Sequence, residues 1–96
     1  MLIRFVSLGA IIMMIAFLLP APAAQAASPE FCRQYAQAAL NQARGGRSLP
    51  GCRGAMDGDR WSMDFRVHYD WCLAHAPEAA EAERGVRTGF IESCRR

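Results

Sequence analysis

The hydrophobic pattern divides the chain into one continuous apolar stretch and three periodic ones. Phe5 to Leu19 is an uncharged, mainly apolar run of 15 residues, ended by Pro20. Beyond Ser28 the apolar positions fall into a helical period instead. Phe31, Tyr35, Ala38, Ala39 and Gln42 recur at the spacing that lines one side of a helix. Ser28-Pro29-Glu30 supplies an N-cap, a proline at the first helical position and an acid in the first turn. Gly45-Gly46 is expected to stop this helix, and the segment Gly45 to Gly58, with five glycines and Pro50, reads as a loop. Asp57 or Asp59 can then cap a second helix from about Arg60 to Ala74. Ala76-Pro77-Glu78 opens a third, whose stripe is Ala79, Ala82, Val86, Phe90 and Cys94, with Glu83 and Arg87 paired one turn apart.

The second helix carries the densest pattern. Trp61, Phe65, Tyr69 and Cys72 cluster on one side, and Met63, Val67, Trp71 and Ala74 form a neighbouring arc. Ser62, Arg66, Asp70 and Leu73 occupy the remainder. A helix apolar over most of its circumference is packed by more than one neighbour, so this helix is expected to be the central element of three. Composition agrees with helix throughout. Between Ala27 and Arg96 only Val67, Val86 and Ile91 are β-branched aliphatics, against 11 alanines. The expected fold class is therefore all-α: a small three-helix, disulfide-stapled bundle after an N-terminal signal peptide.

The signal peptide follows from the first 26 residues, of which 20 are apolar and only Arg4 is charged. The 15-residue apolar run is short of the roughly 20 residues that span a bilayer. Small residues at Ala24 and Ala26 make the pattern a signal peptidase accepts, so cleavage is expected after Ala26, with a retained membrane anchor as the competing reading. The division is thus residues 1–26, signal peptide, and 27–96, one small helical domain, located in the periplasm or secreted. A chain this short excludes a two-domain enzyme, a Rossmann or barrel fold and a repeat array. The domain holds 10 Arg, no Lys and 9 acids. That balance argues against a dedicated nucleic-acid binder.

Export gives the cysteines their meaning. Cys32, Cys52, Cys72 and Cys94 form an even set in an oxidising compartment, which reads as a disulfide framework. Their wide spacing matches neither zinc ribbons, covalent haem attachment nor C-x-x-C redox motifs. Four cysteines allow three pairings. On an antiparallel up-down-up path, Cys32 and Cys72 lie at one end, and Cys52 and Cys94 at the other. Bridging needs Cα atoms within roughly 7 Å, whereas a 15-residue helix parts its ends by about 22 Å. The expected bridges are Cys32–Cys72 and Cys52–Cys94.

Several groups could carry chemistry. Asp64 and His68 lie one turn apart, as in a general-base pair, yet no Ser or Cys nucleophile stands at a fixed short spacing from them. His68, Cys72 and His75 share one side of a helix as metal ligands can, but this requires Cys72 to be a free thiolate or the histidines to act alone, and two histidines seven apart make a weak site. Asp57-Gly58-Asp59 resembles the start of a calcium loop, but Trp61 and His68 stand where later ligands are required. Gly85 and Gly89 point to close approach of a neighbouring helix. Arg33, Arg44, Arg47, Arg53, Arg60 and Arg66 thicken toward the first helix and first loop, where an anion could bind.

One resemblance stands out. Cys32-Arg-Gln-Tyr-Ala, Gly51-Cys52, Arg60-Trp61-Ser62, Asp64-Phe65, His68-Tyr69 and Trp71-Cys72 together resemble an uncharacterised cysteine-containing module of exported alphaproteobacterial proteins, some of which carry it more than once. The similarity covers residues 31 to 74 and implies an exported bacterial module, without a known activity or site residues. The resulting expectation is a non-enzymatic binding or structural accessory, monomeric, without cofactor, metal or nucleic acid, and not inserted in the membrane after signal cleavage. Its partner would be a protein or envelope component, met by Trp61, His68, Tyr69 and Trp71 if these are exposed. The alternatives are a small metal-binding protein or enzyme centred on Asp64, His68 and His75, and a secreted antagonist or toxin.

Overall fold

A computed structural model of the chain describes residues 25–96. The expected signal peptide, apart from Gln25 and Ala26, lies outside the described residues. Among these the chain is helical and contains no strand. None of its helices is long and apolar enough to cross a membrane.

The first helix, α1 (Pro29–Arg47), starts as the sequence predicts: the Ser28 hydroxyl accepts the Phe31 N–H at 3.1 Å, and Pro29 occupies the first turn. It does not stop at Gly45-Gly46 but runs through both to Arg47. The reason lies in packing. A Cβ on Gly46 would come within 2.6 Å of Met56 Cε, so this glycine lets the following loop lie against the helix instead of ending it. That loop holds a single turn, α2 (Pro50–Arg53), and returns through Gly58, whose φ of 89° is a conformation L side chains rarely adopt.

The second expected helix is split. Asp59–Trp61 forms one 3₁₀ turn, and α3 (Phe65–Leu73) begins only after a break. Ser62 and Asp64 cause it: the Ser62 hydroxyl accepts the Asp64 N–H at 3.0 Å, and the Asp64 carboxylate accepts the Arg66 N–H at 2.9 Å. Both residues favour capping geometry over helix interior, and both are extended here. As a result Trp61 leaves the face it was expected to share with Phe65, Tyr69 and Cys72. The last helix, α4 (Pro77–Cys94), follows the predicted start.

The central element is α1, not the second predicted helix. It packs against α2, the 3₁₀ turn, α3 and α4, whereas α3 and α4 make little direct contact. Both disulfides form as expected, Cys32–Cys72 with a Cα separation of 5.5 Å and Cys52–Cys94 with 5.1 Å. Each sits in its own apolar cluster. One gathers Ala27, Cys32, Tyr35, Cys72 and Ala80, flanked by Phe31, Tyr69, Trp71 and Leu73. The other gathers Ala43, Cys52, Met56 and Trp61, flanked by Leu49, Phe90, Ile91 and Cys94. The bridged pairs give the up-down-up path.

The buried face of α4 also differs from the predicted stripe. Ala82 and Val86 are exposed, and the fully buried positions are Ala80 and Arg87. Gly85 and Gly89 face open space, with nothing within 4 Å of an added Cβ, so they mark no helix contact. The helix is turned so that an arginine lies at the waist between the two clusters.

Candidate functional site

Because α3 and α4 both rest on α1 and scarcely touch, a cleft of about 290 Å³ opens between them. Tyr35 comes from α1, Asp59 and Arg60 from the 3₁₀ turn, Val67, His68 and Trp71 from α3, and Glu83 and Arg87 from α4. Its walls are part apolar and part charged.

Arg87 is the buried cation of this site, with none of its surface exposed. Its Nε donates to the Gln42 Oε1 at 2.7 Å, and Nη1 donates to the Tyr35 hydroxyl at 3.2 Å. The guanidinium carbon lies 5.1 Å from the Tyr35 ring centroid, within cation–π range. A Glu83 carboxylate oxygen stands 3.8 Å from Nη1. Nη2 is buried and has no hydrogen-bond partner among the described residues. Gln42 is held in turn by Thr88, whose Oγ1 accepts from Nε2 at 2.9 Å.

Glu83 is shared. Arg60 reaches it from the 3₁₀ turn through two hydrogen bonds, Nε to Oε2 at 2.5 Å and Nη2 to Oε1 at 3.2 Å. This fork geometry is the strong form of an arginine–carboxylate pair. It holds the Arg60 guanidinium above its already high ordinary pKa. Burial pushes the Tyr35 hydroxyl above its ordinary 10.0, against the opposing hydrogen bond and charge of Arg87. Tyr35 is therefore a neutral acceptor for Arg87 at physiological pH.

The histidines are engaged separately. His68 is buried, and its Nε2 lies 2.7 Å from the Ser62 carbonyl oxygen. A carbonyl only accepts, so Nε2 carries the proton. His75 Nδ1 is 2.7 Å from the Trp71 carbonyl oxygen, and the His75 ring stacks on Trp71 at a centroid distance of 4.0 Å. The Asp64 carboxylate caps α3 in place of orienting His68. Cys72 is disulfide-bonded and cannot act as a thiolate. Among the described residues no group of three or more His, Cys, Asp or Glu is placed to hold a metal ion. The alternative centre of Asp64, His68 and His75 is therefore not assembled.

The expected partner surface is divided as well. Trp61 is buried against Phe90, at a centroid distance of 5.1 Å, in the Cys52–Cys94 cluster. Tyr69 is half-buried and stacks on Phe65 at 5.6 Å. Only His68 and the half-buried Trp71, stacked on Tyr35 at 5.8 Å, reach the cleft. Of the arginines marked in the sequence, Arg60 lines the cleft, while Arg47 Nη2 donates to the Trp61 carbonyl at 2.6 Å and ties down the loop.

The pattern missed Tyr35, Glu83 and Arg87 as one constellation. The available signal was the series Ala80, Glu83, Arg87, Ile91 and Cys94, which follows helical spacing and ends on small or apolar residues. An arginine inside such a series sits on the face turned to the core. No protein-family model, curated protein or solved structure matches the chain.

Proposed function

We propose that the chain is an exported, non-enzymatic binding module whose recognition element is the cleft between α3 and α4. The observation that carries this reading is the cleft itself: a preformed concavity of about 290 Å³ with apolar walls and a few convergent polar groups. That volume is at the small end of ligand sites, so the occupant is a metabolite-sized molecule or one side chain of a larger partner.

The absence of an enzyme is supported by the inventory of the walls. Among the described residues that line the cleft there is no serine, cysteine or lysine. Its one hydroxyl, on Tyr35, already accepts from Arg87, and His68 Nε2 is engaged by Ser62. A nucleophile with an adjacent base is what covalent catalysis needs.

Export is supported by three features. Two disulfides fit an oxidising compartment. Ala27 is buried and its N–H donates to the His75 carbonyl at 2.9 Å, whereas Gln25 and Ala26 are exposed. Among the described residues, burial thus begins at the residue that follows the expected cleavage point. The resemblance of the Trp61-to-Cys72 run to modules of exported proteins points the same way.

The test is a binding screen by two-dimensional NMR on protein recovered from the exported fraction of cells expressing the full chain. Small organic acids, amines and neutral compounds are titrated at millimolar concentration. The expected result is that at least one class shifts the resonances of Val67, His68, Trp71 and Arg87 together. If no compound moves them, the cleft is not a ligand site; recovery only from the reduced cytoplasmic fraction would overturn export.

A further inference from the structure

We infer that the cleft takes a small monocarboxylate with an apolar body, bound through Arg87 when the ligand replaces Glu83 in a shared ion pair. This rests on the reading of the cleft as a binding site and names the ligand class for it.

The first argument is a count of donors and acceptors. The buried group left without a partner is a donor, Arg87 Nη2, and not an acceptor. Leaving a charged donor buried and unpaired is costly, so the ligand that completes the site brings an acceptor. The second argument is charge. Two guanidiniums, Arg60 and Arg87, share the single carboxylate of Glu83. Asp59 also lines the cleft, but it is exposed and forms no ion pair among the described residues. The lining thus holds two guanidiniums and two carboxylates, but only Glu83 is ion-paired to them, so one guanidinium has no carboxylate of its own within the cleft. Tyr35 does not supply a negative charge in its place, because burial keeps the hydroxyl protonated.

The third argument separates a carboxylate with an apolar body from a bare inorganic anion. Val67 and the edge of the Tyr35–Trp71 stack line the same cleft as the guanidiniums. A phosphate or sulfate ion would leave this apolar wall uncovered, whereas a short hydrocarbon or ring would bury it. The carboxylate end fits the planar fork of an arginine.

Access to Arg87 depends on the Arg60–Glu83 pair. Arg87 has no exposed surface in the unliganded protein, while Arg60 is about half exposed, with a side-chain exposure of 48%, on the short 3₁₀ turn. Glu83 lines the cleft beside Arg87 and already contributes the carboxylate that an incoming ligand would supply. Exchange of one carboxylate for the other opens the floor without moving α1, α3 or α4.

The prediction is unusual in its signs. Removing the carboxylate with Glu83→Gln takes away the competitor, so ligand binding tightens. Removing the other partner of the same ion pair with Arg60→Gln frees Glu83 to pair with Arg87, so binding weakens. An ion pair that only holds the fold together would shift both variants in one direction.

The experiment is calorimetric titration of the disulfide-bonded protein, from cells expressing the full chain, with benzoate, benzamide and inorganic phosphate. Benzoate is expected to bind about tenfold or more tightly than benzamide, its neutral counterpart, with phosphate weaker than benzoate. Arg87→Met is expected to abolish the preference for benzoate. Should that variant not fold, the opposite effects of Glu83→Gln and Arg60→Gln decide the matter alone. Equal binding of benzoate and benzamide would overturn the anion assignment while leaving the cleft a binding site. Phosphate binding as tight as benzoate would overturn the apolar body. No shift of cleft resonances with any compound of the wider screen would remove the cleft itself as a site.

Discussion

Replacing Cys52 and Cys94 together by alanine is expected to remove most of the stability of the domain. The two cysteines are 42 positions apart, and Cys32 and Cys72 are 40 apart. Restricting the unfolded chain by a loop of this size contributes about 4 kcal/mol at room temperature for either bridge. A domain of about 72 residues has a total stability of roughly 4–11 kcal/mol. Either bridge is therefore comparable to the whole. The loops overlap between Cys52 and Cys72, so the second bridge constrains a chain the first has already shortened. Each single removal therefore shows only the reduced contribution, and removing both is expected to cost more than the sum of the two single removals. The ends should also differ locally. α2 has one turn and no independent helical stability, so loss of Cys52–Cys94 frees α2 and the last turn of α4. The pair α1 and α3 keeps an extensive interface when Cys32–Cys72 is lost. Urea unfolding followed by circular dichroism measures the first quantity, and hydrogen exchange at Ile91–Cys94 the second. A loss below about 1 kcal/mol for either alanine pair, or strict additivity, would refute the chain-restriction argument.

Three further predictions follow from particular atoms. Gly51→Ala places a Cβ 2.5 Å from the Cys94 carbonyl oxygen, which is backbone and cannot yield without moving the end of α4; a destabilisation of about 1–3 kcal/mol is expected by urea unfolding. Gly89→Ala, in open space on the same helix, should instead stabilise by up to about 1 kcal/mol. The Tyr35 hydroxyl is raised above 10.0 by burial, so its contribution to stability is fully present below pH 10 and is lost as pH rises through its higher folded value. Absorbance at the phenolate band should show one tyrosine ionising above the ordinary range, and Tyr35→Phe should remove that component; ionisation of Tyr35 at or below pH 10 contradicts the burial argument.

The starts of α1 and α4 and the disulfide pairing were legible because each depends on local chemistry or on simple geometry, whereas α3 starts at Phe65 under Asp64 and not near Arg60 under Asp57 or Asp59. Ser28-Pro29-Glu30 and Ala76-Pro77-Glu78 hold their signals within one turn, and the bridges needed only the ends of the helices to be ordered. The break at Ser62–Asp64 was not legible from periodicity, since Trp61, Phe65 and Tyr69 keep helical spacing across it. Two capping side chains in three residues outweigh that spacing, and they send Trp61 to the opposite cluster. The face of α4 was misread for a related reason. Val86 is apolar and Arg87 is charged, so a pattern argument turns the helix by one residue and buries the valine. In the protein Val86 is 45% exposed and Arg87 is not exposed at all. What decides the rotation is the set Tyr35, Gln42 and Glu83, none of which is near Arg87 in sequence except Glu83. The spacing of Ala80, Glu83, Arg87, Ile91 and Cys94 can mark the face that is turned inward, but it does not name Tyr35 and Gln42, the partners on another helix that make burial of the arginine possible.

That rotation links the staples to the cleft. Burying a guanidinium in so small a domain opposes folding unless its hydrogen bonds are satisfied, and Arg87 retains one nitrogen without a partner among the described residues. A waist of charged and amide side chains also contributes less apolar burial than a continuous core would. The two clusters on either side of it are each closed covalently, so the ends of the bundle stay assembled without help from the waist. α3 is thereby bridged to α1 at one end and α4 to α2 at the other, and the space between α3 and α4 is left open. Leucine and alanine at the waist would close the cleft. Two arginines meeting one glutamate beside an apolar wall leave it open and supply what a carboxylate-binding site requires: guanidinium donors, an apolar wall and an internal carboxylate that yields to the ligand.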